Sequence, residues 1–271
     1  MKAAMCVFAA AVFLSVLPAV IHADTYITND ISVDTTWGLV DSPYIIQANI
    51  EIINNSTLTM TPGTEVRFDG YYELVVDHGS AIRVEGEEFN RVIITSNDPS
   101  PVPGSWDRIT VQGDLQSSFE YCTIEYASAG IRVGGANPAP WIYYCTIRHC
   151  GTAVEILASS PTVEMCDLYG CLGQAVWIMG NSSNPAITYN DICDNPGWNI
   201  YVMDYPEPAR TINCQYNWWG TDIEGEIQQK IRDSVSNPGE VYATIDFSNW
   251  LTEPQPVEET SWGRVKALFA D

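Results

Sequence analysis

Positive charge is scarce in this chain. Its 271 residues carry 12 Lys and Arg against 34 Asp and Glu, a formal net charge of −22. Such a surface repels nucleic acid and anionic lipid, and it repels acidic polymers such as uronans unless Ca²⁺ intervenes. No nucleic-acid partner is expected. Histidine is scarcer still: there are three, and His78 and His149 are the two beyond the N-terminal region, far apart. That spacing excludes a His-rich metal site, and no Gly-rich phosphate loop is present. No cofactor is expected, with Ca²⁺ the one ion the acidic surface leaves open. Past Val20 no apolar run is long enough to cross a bilayer. Nor does an apolar pattern of period 3.6 link one apolar run to the next through the centre of the chain, which argues against crossover helices.

What the chain does have is self-similarity. Pro140, Ile142, Cys145, Ile147 and Cys150 are followed by Pro161, Val163, Cys166, Leu168 and Cys171, then by Pro185, Ile187, Asn190, Ile192 and Asn195. The offsets from the proline are two, five, seven and ten residues each time, and the copies are 21 and then 24 residues apart. An earlier copy lacks the proline but keeps Phe119, Cys122 and Ile124. A repeat of this length implies stacked supersecondary units, each burying an apolar face against its neighbours.

Within each copy the apolar residues alternate, as in Gly130-Ile131-Arg132-Val133, Ala153-Val154-Glu155-Ile156, Ala175-Val176-Trp177-Ile178 and Asn199-Ile200-Tyr201-Val202. Alternation of period two predicts strands with one buried face. Three short strands and three turns per repeat make one coil of a parallel β-helix. The apolar–x–x–Asn–x–apolar element at Ile187–Ile192 resembles the turn of the right-handed parallel β-helix (pectin-lyase-like) repeat proteins of the bacterial secreted or cell-surface type, with Cys145 and Cys166 replacing the Asn. The resemblance implies an all-β, right-handed, single-stranded parallel β-helix solenoid with a short C-terminal capping helix. It also implies a scaffold that hosts many functions.

Residues 1–23 read as a secretory signal peptide: Lys2 is the positive n-region, Ala3 to Val20 the apolar core, and Ile21-His22-Ala23 offers a small residue for cleavage. Its removal leaves no membrane-inserting segment and places the protein outside the cytoplasm, as a secreted, periplasmic or cell-surface chain. Residues 24–43, anchored by Trp37, are expected to lead into or cap the first coil, and residues 44–217 to form the β-helix. Pro99 to Trp106 reads as a longer loop. The block 218–251 resembles a closing segment, with Asn217-Trp218-Trp219-Gly220 ahead of a helix over Asp222 to Ser234, N-capped by Thr221 or Asp222. Residues 252–271 form an acidic, proline-containing linker and a tail with Trp262, Val265, Leu268 and Phe269 apolar. Cys122, Cys145 and Cys166 are expected to stack, with Cys150 over Cys171 beside them. At ~4.8 Å between coils they can be either a disulfide-capable pair or a buried thiol ladder.

Aligning the coils yields two outward columns. The first holds Arg132, Glu155, Trp177 and Tyr201. Aromatic faces supply apolar area to pyranose rings and charged ends orient hydroxyls, so this column is a candidate sugar-binding strip. The second holds Thr123, Thr146, Asp167 and Asp191, where two neighbouring carboxylates could share a proton, bind a cation or act as acid and nucleophile on a glycoside. The Asn-Thr-Asp, Asp-Asp and Gly-His-Gly clusters that the resemblance would require for hydrolysis do not occur. The expected function is a non-catalytic secreted or cell-surface scaffold that binds a polysaccharide or another surface protein. A polysaccharide lyase, hydrolase or epimerase on the same fold is the alternative, and a copper-related periplasmic accessory role is weakened by the few histidines.

Overall fold

The computed structural model describes residues 23–113, 116–135, 138–180, 183–203 and 210–255. The expected signal peptide, but for its last residue, and the tail with Trp262, Val265, Leu268 and Phe269 lie outside them.

The chain winds through three parallel sheets of eight, eight and nine strands. One coil shows the order. Trp141–Tyr143 lies in sheet III, Thr146–Arg148 in sheet I and Thr152–Leu157 in sheet II. Each strand pairs in parallel with its counterpart one coil on: Trp141 with Thr162, Thr146 with Asp167, Thr152 with Gln174. The strands are short because turns of two, three and four residues separate them in this coil. Ile124, Ile147, Leu168 and Ile192 stand in register in sheet I, and Val133, Ile156, Ile178 and Val202 in sheet II. All eight are fully buried. Stacked aliphatic side chains, β-branched in all but Leu168, fit such a column because each packs on its like in the coils above and below.

The turn between sheets III and I is the tightest. Tyr121, Tyr144, Met165, Tyr189 and Tyr216 occupy it in successive coils, with φ between 46° and 59°. Residues other than glycine avoid this region, so the inner residue that follows must compensate. In the later coils it is Asn. Asn190 Oδ1 accepts the Cys166 N–H at 2.9 Å, and its Nδ2 donates to Val163 O and Asn217 Oδ1, both at 3.0 Å. In the earlier coils it is Cys. The Cys166 sulfur lies 3.4 Å from Ile142 O, and Cys122 Sγ lies 3.3 Å from Cys145 Sγ. The seven cysteines in the described residues are free, so the ladder stands as thiols.

At the N-terminal end, residues 24–43 lead in as a coil of their own. Thr25–Ile27 pairs with Tyr44–Ile46, Thr35 to Trp37 with Leu58 to Met60, and Ile31 bridges Ile52. Trp37 is buried there and stacks on Tyr44 with ring centroids 4.8 Å apart. The proline-rich loop ends at Trp106, which is buried against Phe68 and donates its indole N–H to Glu125 O at 2.8 Å.

The helix at the other end is shorter than its sequence pattern. It spans Glu224–Gln229, and its N-cap position is Ile223, not Thr221 or Asp222. Thr221 acts from outside it, accepting the Ile223 N–H at 3.2 Å and donating to Glu226 at 2.7 Å. Ile231 fits the four-residue pattern but leaves the helix. The open edge of sheet II takes it as strand Ile231–Arg232 beside Ile200 and Tyr201, and Asn199 and Ile200 donate to Lys230 O. Ladder bonds on a buried edge outweigh one further helical turn. Among the described residues no helix is long and apolar enough to cross a membrane.

Candidate functional site

The register of sheet II puts Arg132, Glu155, Trp177 and Tyr201 in one column, outside the buried Ile131/Val154/Val176/Ile200 row. The surroundings differ from a row of four exposed side chains. Glu155 is only 6% exposed. Its Oε2 accepts from Arg132 Nε at 2.6 Å and from Arg108 at 3.2 Å, and Arg108 also donates to Asp107 at 2.7 Å. Two guanidiniums share this one carboxylate oxygen. Glu155 therefore fixes the two arginines and is not a free group for sugar hydroxyls. Above it, Trp177 is half-buried, and its indole nitrogen is buried without a hydrogen-bond partner among the described residues. Tyr201 is flanked by Trp198, at 6.1 Å between ring centroids, and carries the Arg232 guanidinium over its face at 4.9 Å. The strip is thus an aromatic cluster of Trp177, Trp198 and Tyr201 bounded by paired cations.

Arg108, Trp198 and Arg232 were absent from the sequence-derived column. Trp198 sits three residues before Tyr201 in the same strand, where strict alternation assigns the opposite face; Asn199 and Ile200 are both buried and break that alternation. Arg108 comes 47 residues before the carboxylate it holds, and Arg232 lay under the helical pattern.

Asp167 and Asp191 pair across adjacent coils in sheet I, with Thr146 below and Trp218 bridging above. Desolvation raises Asp167 above the usual carboxylate range, against the attraction of Arg91 and a hydrogen bond from Thr146. Desolvation, aided by the charge of Asp167, pushes Asp191 up to about 6, and the Gln255 N–H, 2.9 Å from its Oδ1, opposes the shift. The two carboxylates are neighbours in register, and a chain segment is laid on Asp191. The backbone N–H occupies one of the oxygens that a cation would need.

The aromatic residues of the tight turn were not anticipated as surface. Tyr121 stacks on Tyr144 at 4.7 Å and Tyr189 on Tyr216 at 4.9 Å, with Met165 at the intervening turn. Arg91 ties the row to the coil by donating to Cys122 O and Tyr144 O at 3.1 and 2.8 Å. Their sequence signal was one residue ahead of the Cys/Asn ladder, four after each repeat proline. Beneath them burial pushes the Cys166 thiol well up, which leaves it neutral and unreactive.

Parallel strands wound into three faces around stacked inward ladders define a β-solenoid. The family model described as "Right handed beta helix region" matches residues 80–217, a little over half of the chain, and the chain belongs to that family. The coils accordingly carry the right-handed sense usual for parallel crossovers. No curated protein and no solved structure matches the chain.

Proposed function

We propose that this protein is an extracytoplasmic β-helix scaffold, secreted, periplasmic or on the cell surface, that binds carbohydrate on the outer face of sheet II without turning it over. The observation that carries the reading is the cluster of Trp177, Trp198 and Tyr201 in adjacent coils, bordered by the Arg108–Glu155–Arg132 group. Rings held in place by paired charges meet a sugar at little entropic cost. A net charge of −22 favours a neutral polysaccharide over an acidic one. The Trp177→Ala variant tests it. Trp177 is half-buried and its indole nitrogen makes no hydrogen bond among the described residues, so truncation should cost well under the ~3–5 kcal/mol of a fully buried aromatic. Loss of one ring contact should weaken glycan binding about fivefold. A glycan array and melting curves of both proteins read the two effects separately, and a large fall in melting temperature with unchanged binding contradicts the proposal.

One observation favours a second reading. Asp167 and Asp191 sit on adjacent coils and Asp191 is raised to about 6, as a glycosidase acid would be. Turnover of any polysaccharide, lost in Asp167→Asn or Asp191→Asn, would establish that reading in place of the scaffold.

A further inference from the structure

A second face of the molecule has a stronger exposed aromatic character than the strip on sheet II. Trp141 lies on the outer side of sheet III and is 48% exposed. No other tryptophan is among the exposed large apolar side chains of the described residues. Tyr143 follows it on the same outer side, because Ile142 between them is fully buried. The two rings lie 6.0 Å apart, tilted by 51°. Neighbouring coils surround them with oxygen. Ser118 and Thr162 flank Trp141 in register, and Glu120 and Glu164 flank Tyr143. Just beyond, at the tight turn, Tyr144 is itself 40% exposed.

We propose that this face of sheet III, centred on Trp141 and Tyr143, is a separate binding site for an uncharged glycan chain. It extends the carbohydrate-binding reading to a second surface and rests on it. Three features identify the ligand class. An exposed indole beside a tilted phenol offers two apolar planes to successive sugar rings, which is the geometry that polyhydroxylated rings with apolar faces match. The flanking groups are carboxylates and hydroxyls, which accept hydrogen bonds from sugar hydroxyls. Desolvation, with the charge and hydrogen bond of Glu164, raises the Tyr143 hydroxyl above the ordinary phenol range, so its proton goes to Glu164 and its oxygen is left to accept from a sugar hydroxyl. The charge of the site also selects against competitors. Glu120 and Glu164 border the rings, and one coil further Glu85 stands beside Arg83 of the Trp141 column, so the local balance is negative and disfavours uronic acids, sulfated glycans and nucleic acid. The rigid register of the coils presents these groups preorganised, at ~4.8 Å steps along the axis.

Calorimetric titration of the full chain with cellohexaose, xylohexaose, mannohexaose and N-acetylchitohexaose tests the site, with hexagalacturonate and hexalysine as controls. At least one neutral hexasaccharide should bind, with little dependence on salt. Trp141→Ala should weaken it fivefold or more without moving the melting temperature, and Trp177→Ala should leave part of the binding in place. Binding that is lost in Trp177→Ala but unchanged in Trp141→Ala overturns the sheet III site and leaves the sheet II reading standing. Absence of binding by every neutral hexasaccharide overturns both. Binding of hexalysine alone, abolished by high salt, assigns the face to a cationic partner and overturns the proposal.

Discussion

Asp191 shows how much one side chain can weigh on a scaffold of this kind. Its carboxyl is raised from 3.8 to about 6, first by burial, then by the neighbouring Asp167 charge, against the Gln255 N–H. A group that binds its proton more tightly in the folded chain than in the unfolded one stabilises the fold at low pH. That contribution is complete below about pH 4 and is lost as pH rises through about 6, the reverse of a salt-bridged carboxylate. Allowing for solvent screening, the loss at neutral pH is on the order of 1 kcal/mol. Asp191→Asn should therefore unfold at higher urea than wild type at neutral pH, and the difference should vanish near pH 4. Other carboxylates titrate in both proteins and cancel in the comparison. If the two proteins keep the same difference at every pH, the carboxyl is not perturbed in the fold.

At the scale of the element, the ladder under the tight turn is where sequence and structure inform each other most. The inward stacks were legible because a period-two pattern has only one way to face a core, and Ile147 and Leu168 follow it without exception. The Cys and Asn positions were legible as a column. What the column does was not, because hydrogen bonds from side chain to backbone depend on a turn conformation that no apolar pattern encodes. The same turn hid Tyr144 and Tyr189 as surface residues, since a φ near 55° breaks the alternation that assigns faces. Alternation turns Glu155 outward but does not encode its cover, because the arginine that covers it is 47 residues away. Sulfur and amide rungs should differ in strength. Asn190 satisfies three buried backbone or amide groups at 2.9–3.0 Å, whereas Cys166 meets its carbonyls at 3.2–3.4 Å. Leaving buried groups unpaired costs about 1–3 kcal/mol each, so Asn190→Ala should lose roughly 3 kcal/mol and Cys166→Ala about 1 kcal/mol. Urea titration of the two variants measures this. Equal losses would mean that packing, not hydrogen bonding, holds the turn.

For the whole molecule the decisive regions are the two ends, because a solenoid is a stack whose last coil has no neighbour. The C-terminal end closes with several devices at once. Ile231–Arg232 completes sheet II and Ala243–Asp246 completes sheet III, so two otherwise open strand edges are paired. Lys230 Nζ lies 3.0, 3.3 and 3.0 Å from the carbonyls of Asn195, Pro196 and Gly197. Trp219, Ile227 and Ile245 are buried over the final coil. Removing these covers leaves the edge of Trp198–Met203 and the apolar interior of the coil open to another chain. A chain ending at Asn217 should therefore associate, sedimenting as larger species whose proportion grows with concentration, where the full chain under the same conditions does not change. The surface charge bears on the same outcome. The shortened chain still carries 8 Lys and Arg against 24 Asp and Glu, a net charge of −16 that opposes stacking of like chains, and salt screens that repulsion over ~10 Å or less. Association of the shortened chain should accordingly increase with ionic strength, the opposite of an assembly held by ion pairs. A shortened chain that sediments like the full one at every salt concentration would show that the coils end themselves, and that the closing segment serves something other than their edges.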